Sequence, residues 1–193
     1  MEDRFIVEDV RKRLVLAGLN ELCEHGITDF SLRRVSVAAQ VSCAAPYRHF
    51  KDKDELIGAI IEYIGSKWLL LSKEISSALG NDPKRLALEL SVSAIRFWVA
   101  NGNFRTVLMT DGANAARFSG YMNDFDKDVL LAISDLYADK GIGEAEIDRV
   151  KTTIKAIIYG TVLLIGTGRL ENTPKTIMNV KKSIERELDG VLK

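Results

Sequence analysis

The stretch GITDFSLRRVSVAAQVSCAAPYRHFKDKDEL, residues 26–56, decides how the rest of the chain is read. Ser31 stands just ahead of an apolar-periodic run, where a hydroxyl can accept a bond from a free helix N–H. The spacing predicts a helix over 31–38 with Leu32, Val35 and Val37 or Ala38 facing inward. Ala39-Gln40-Val41 then makes a turn, and Ser42 caps a second helix over 42–49. Pro46, in its fourth position, removes one N–H near the helix start, where proline is still partly tolerated.

Working outward, residues 7–25 form a longer helix with Val10, Leu14, Leu19 and Leu22 on one side, ended by Gly26. That face can close a three-helix core over the short pair. Two helices of about two turns joined by a three-residue turn make a helix-turn-helix, whose second helix can enter a DNA major groove. The charge pattern agrees. Residues 31–53 carry Arg33, Arg34, Arg48, Lys51 and Lys53 against Asp52 alone, although the whole chain balances 27 basic with 27 acidic side chains. Coulomb forces are local at cellular salt, so a basic segment on a neutral chain can still meet phosphate.

The segment resembles the DNA-binding domain of TetR-family transcriptional repressors. The matching pattern is Gly26, then Phe30-Ser31-Leu32-Arg33, then Val41-Ser42, then Tyr47-Arg48-His49-Phe50, then Lys53 and Leu56, within residues 8–57. The resemblance implies roles by position. Tyr47 and His49 bond phosphates, Lys53 meets a phosphate at the start of the fourth helix, and Arg33 reaches the groove, with Arg34 beside it. Cys43, Ala44 and Ala45 face base edges or sugar, Ser42 at the cap counts with the DNA-binding set, and Arg48 adds to direct readout. Small side chains let the helix sit deep, and alanine can touch a thymine methyl. Gln40 fills a position where the family usually has glycine. A positive φ there costs about 1 kcal/mol.

The remainder is helical by its 3.6-residue spacing, and the whole chain reads as all-α with about nine helices. Beyond those above they span 53–78, 83–100, 103–110, 118–140, 144–168 and 174–191. Asp82-Pro83 and Thr173-Pro174 each read as an N-cap followed by proline at the first helical position. The domains expected are 1–52, a helix-turn-helix unit, and 53–193, an effector-binding and dimerisation bundle. Aromatic and methionine side chains give adaptable apolar walls. The pocket candidates are Trp68, Phe97, Trp98, Phe104, Met109, Phe118, Tyr121, Met122, Phe125 and Tyr159. The stripes of the last two helices, Ile154, Ile158, Thr161 and Ile165 with Ile177, Ile184, Leu188 and Val191, are the dimer candidates, with core burial as the competing reading.

Other classes are narrowed by absence. Residues 56–193 contain neither His nor Cys, which removes His/Cys metal sites and Ser–His–Asp triads from the larger part. No cofactor is implied. Cys23 and Cys43 fit a reducing cytosol, and Cys43 in the first turn of its helix is a conceivable redox switch. No uncharged stretch exceeds the 13 residues of 156–168, short of the roughly 20 of a membrane span. The charged start MEDRFIVEDVRKRL does not read as a secretory signal. The resemblance therefore implies a cytoplasmic homodimeric repressor on a palindromic operator, released by a small apolar or amphipathic effector. A helical enzyme or carrier with a vestigial helix-turn-helix is the alternative.

Overall fold

The computed structural model describes residues 2–102 and 124–190. Among them are eight helices and no strand: α1 Glu2–His25, α2 Leu32–Ala38, α3 Pro46–His49, α4 Lys53–Leu79, α5 Pro83–Ala100, α6 Asp124–Tyr137, α7 Glu144–Gly166 and α8 Pro174–Gly190. The fold is all-α, as the periodicity predicts. The segment expected as a helix over 103–110 lies outside the described residues.

Helix ends follow local chemistry. Asp82 accepts from the Arg85 N–H at 3.0 Å with Pro83 at the first helical position, and Thr173 accepts from the Thr176 N–H at 3.1 Å ahead of Pro174. Asp52 caps α4, accepting from the N–H groups of Asp54 and Glu55 at 2.9 and 3.0 Å. α1 stops at Gly26, whose φ of +69° suits a residue without Cβ and whose N–H bonds the Leu22 carbonyl at 2.9 Å.

The chain forms two compact units that divide inside α4, between Ser66 and Lys67. The sequence reading put its boundary at the start of α4, after residue 52. The first turns of α4 bury Leu56, Ile57, Ile60, Ile61 and Ile64 in the N-terminal unit. Ile60 reaches α1 at Gly18, where a Cβ would stand 2.8 Å from its Cδ1, so the two helices meet at a residue that has none.

In the C-terminal unit α5 is the centre, touching α6, α7 and α8, while α7 packs on both α6 and α8. Leu90, Ile95, Ile133, Val150, Ile154, Ile184 and Leu188 are fully buried there. The buried Tyr137 hydroxyl donates to the Leu188 carbonyl at 2.8 Å, and burial, with Glu187 and Asp189 adding to it, pushes its pKa up to about 12. Ion pairs run along the outside of α8: Lys181 to Glu89 at 2.5 Å, Lys84 to Asp189 at 2.8 Å and Glu187 to Arg149 at 2.7 Å. Exposed pairs of this kind contribute about 0–1 kcal/mol each, so apolar burial dominates. No described helix is long and apolar enough to cross a membrane.

Candidate functional site

The helix-turn-helix is built from short-range bonds. Ser31 caps α2, its Oγ accepting from the Arg34 N–H at 3.4 Å. The inward face of α2 is Val35, Ser36 and, at its end, Ala39, with Leu32 half-buried. Val37 and Ala38 point outward, Val37 at 69% exposure, which corrects the expected face. The cause is that Ser36 is neutralised locally: its hydroxyl donates to the Leu32 carbonyl at 2.8 Å, so it can be buried. Gln40 takes φ +55°, the left-handed conformation that favours glycine. Gln40→Gly is therefore expected to stabilise the protein by about 1 kcal/mol, read as a higher Tm. An unchanged or lower Tm would mean that the Gln40 side chain compensates.

The second helix is shorter than expected. α3 begins at Pro46 and has four residues, instead of running over 42–49. Proline has no N–H to give the Ser42 carbonyl. That carbonyl is taken by the Ala45 N–H at 2.9 Å, and residues 43–45 form a turn. Cys43 therefore precedes the helix by three residues and is not in its first turn, which removes the reason for treating it as a helix-activated thiol. Cys23 is half-buried, and burial, with Glu24 beside it, pushes its thiol up to about 11.

The structure brings most DNA candidates to the outside of this segment. Arg33, Ser42, Cys43, Ala44, Tyr47 and Arg48 are exposed, Tyr47 by 64%, while Ala45, His49 and Lys53 are half-buried. Lys53 Nζ donates to the Thr28 carbonyl at 3.5 Å and lies 6.0 Å from the Phe30 ring. Arg34 is held differently. Its guanidinium reaches Glu21 at 2.6 Å and also bonds Asp29, so its charge is already balanced within the protein.

Glu21 is the other half of that clamp and was not singled out from the sequence, since it lies 13 residues from Arg34. It is 7% exposed and accepts from the Ser31 N–H at 2.9 Å as well as from Arg34 Nε at 2.8 Å. Burial alone would raise its pKa. The bonds from Arg34 and Ser31 and the charges of Arg34 and His25 outweigh burial and hold it below the ordinary 4.5. A depressed carboxyl contributes stability that is present above its unfolded pKa and is lost as pH falls through the folded one. Glu21→Gln is expected to cost about 1–2 kcal/mol near pH 7 and progressively less below about pH 4. Equal destabilisation at pH 7 and pH 3 in urea titrations would exclude the charged clamp.

In the C-terminal unit Trp68, Trp98 and Phe125 are buried and Phe97 is half-buried; these rings form one contact chain. Trp68 Nε1 is buried and meets no hydrogen-bond partner among the described residues, an arrangement that costs roughly 1–3 kcal/mol. The Tyr159 hydroxyl donates to Asp126 at 3.1 Å, and Lys155 also holds Asp126, at 2.6 Å. Burial, reinforced by Asp126, raises the hydroxyl's pKa. Beside this trio an open groove of about 330 Å³ runs between α6 and α7, lined by Asp126, Lys127, Leu130, Leu131, Ser134, Lys151 and Lys155. None of the predicted pocket residues lines it. Phe104, Met109, Phe118, Tyr121 and Met122 lie outside the described residues.

The dimer candidates divide by burial. Ile154, Ile158, Thr161, Ile184 and Leu188 are filled by the chain's own core, Ile165 and Ile177 are half-buried, and Val191 lies outside the described residues. The large apolar side chains turned outward on these helices are Leu163, Leu164 and Met178, at 43, 40 and 52% exposure. Sequence periodicity finds a stripe but not what covers it.

Residues 14–60 match the family described as bacterial regulatory proteins, tetR family. The N-terminal unit carries a tetR-family domain. The matched span runs from the middle of α1 into the first turns of α4, enclosing the whole helix-turn-helix. The chain is 30% identical over 60 residues to the HTH-type transcriptional repressor Rv3405c of Mycobacterium tuberculosis, a match covering 31% of this chain and 32% of that protein. The matched stretch is thus about a third of that relative. Solved structures resemble the chain over more of its length. NalD of Pseudomonas aeruginosa, the secondary repressor of the MexAB-OprM multidrug efflux pump, superposes with a TM-score of 0.72 at 19% identity, covering 94% of this chain and 96% of that one. FadR of Bacillus subtilis, in complex with stearoyl-CoA, gives 0.72 at 11% identity, covering 92% and 96%. At those identities the likeness concerns the fold alone: the chain shares the helical architecture of these two proteins over most of its length.

Proposed function

We propose that the protein is a ligand-responsive transcriptional repressor that binds a palindromic operator as a cytoplasmic homodimer and is released by a small apolar or amphipathic effector. The observation that carries this is the outward set Arg33, Ser42, Cys43, Ala44, Tyr47 and Arg48 on a capped helix-turn-helix. Arg33 and Arg48 supply charge, and the small residues 42–45 allow close approach to the groove floor. Arg34 drops to a supporting part, since Glu21 and Asp29 already hold it. Lys53 keeps a phosphate contact as its proposed role, with its ammonium anchored beside the first turn of α4.

The mechanism is a shift between two populations. Two recognition segments in a dimer must reach half-sites about 34–36 Å apart, and an effector that favours another arrangement lowers operator affinity by its differential binding. FadR of Bacillus subtilis, whose fold this chain shares, was solved in complex with stearoyl-CoA, which supports a small-molecule effector for this chain as well.

The test is a salt titration of operator binding. Lys53→Ala is expected to weaken binding to specific and random DNA alike and to lower the salt slope by about one unit. Arg33→Ala is expected to relax base preference by about 1–3 kcal/mol at one position of the site. Operator affinity and slope equal to wild type in both variants would leave the helix-turn-helix without a DNA role and favour a helical carrier or enzyme.

A further inference from the structure

The polar group hardest to account for in the C-terminal unit is an indole N–H. Trp68, on α4, is 2% exposed, and its Nε1 has no acceptor among the described residues. Its ring centre lies 5.6 Å from Phe97 of α5 at 56°, Phe97 lies 5.4 Å from Trp98 at 83°, and Trp98 lies 4.9 Å from Phe125 of α6 at 68°. Three helices thus meet in tilted and edge-on rings, a geometry set by ring quadrupoles and not by strong hydrogen bonding. Buried donors in folded proteins nearly always have a partner, so an orphan of this kind marks where one belongs.

We infer that Trp68 Nε1–H is the polar anchor of the effector site, and that the effector is a small apolar molecule carrying an uncharged hydrogen-bond acceptor such as a ketone or ether oxygen. The inference rests on the effector reading above and specifies its chemistry. Phe97, Trp98 and Phe125 supply the apolar walls. A single N–H matches one neutral acceptor, whereas a buried carboxylate would need several donors or a cation to replace its water. The site therefore prefers a ketone both to the alkane of the same length, which leaves the donor orphaned, and to the corresponding carboxylate.

The chain has two tryptophans, both in this cluster, so a ¹⁵N-labelled sample reports the site through two indole resonances. Trp68→Phe assigns them while keeping an aromatic ring. The full-length protein is titrated with heptan-2-one, cyclohexanone and acetophenone, with heptane and ethylbenzene as acceptor-free counterparts, and with heptanoate. At least one ketone is expected to move the Trp68 indole proton downfield saturably. The hydrocarbons shift neighbouring ring signals without that downfield movement, and heptanoate binds more weakly than heptan-2-one. Trp68→Phe is expected to weaken that ketone about tenfold, read on the Trp98 indole, and to leave hydrocarbon binding unchanged. The assignment is overturned if no ketone moves the Trp68 resonance, or if Trp68→Phe leaves ketone affinity unaltered. Operator release is measured separately. Compounds that release DNA without touching the Trp68 signal would leave the effector reading standing and sink this site. A ketone that binds at Trp68 as specified without changing operator affinity would uphold the acceptor site and count against its regulatory role.

Discussion

Leu188→Glu is expected to unfold the C-terminal unit, whereas Leu164→Glu is expected to split the proposed dimer and leave the fold intact. Both residues lie on apolar stripes of the last two helices, and the sequence alone treats such stripes alike. The structure separates them. Leu188 is fully buried where α8 meets α5 and α7, and its carbonyl takes the Tyr137 hydroxyl at 2.8 Å. A carboxylate in this fully buried position loses its water, a penalty of several kcal/mol on a total stability of about 5–15. Leu164 is 40% exposed, so its substitution changes the folded monomer by about 0.5 kcal/mol or less. In a dimer built on Leu163, Leu164 and Met178, the same carboxylate would be buried and unpaired, raising the dissociation constant by about a hundredfold or more. Sedimentation at micromolar concentration beside circular-dichroism melts distinguishes the cases. A folded, monomeric Leu188→Glu would return that residue to the interface, and a Leu164→Glu dimer of wild-type affinity would place the contact elsewhere.

The sequence carried the helix ends better than the helix faces. Ser31, Asp82-Pro83, Thr173-Pro174 and Gly26 are local signals, each acting within a turn of its own position, and each behaves in the structure as its chemistry requires. The N-terminal domain was legible because its turn residues and its Tyr47–Phe50 run sit at fixed spacings. Faces depend on what lies opposite. Val37 is exposed and Ser36 buried because a hydroxyl bonded to the Leu32 carbonyl costs little inside. Pro46 shortened α3 because the missing N–H falls where the first helical bond would form. The Glu21–Arg34 pair joins residues 13 apart on different helices, so no periodicity points to it. For the same reason Tyr159 was assigned to an apolar pocket, although its hydroxyl is committed to Asp126. A buried donor such as Trp68 Nε1, without an acceptor among the described residues, shows only in three dimensions.

Ala44→Glu is expected to lower operator affinity by at least about a hundredfold while leaving the melting temperature within a degree or two. Ala44 is exposed in the turn of residues 43–45 and buries no packed surface, so the substitution touches folding little. Its effect on DNA comes from two sources. A carboxylate at the tip sits against phosphates that Arg33, Arg48 and Lys53 are proposed to attract, and one charge at 4–6 Å is worth about 3–4 kcal/mol at an effective dielectric near 20. A longer side chain also keeps the segment from seating in the groove. Ala44→Gln separates the two, being nearly the same size without the charge. The Glu deficit should shrink between 50 and 200 mM salt as counterions screen it. The Gln deficit, being steric, should stay nearly constant over that range. If both variants bind operator within twofold of wild type at either salt, residues 43–45 do not face DNA, and the basic side chains around them are a solvated surface.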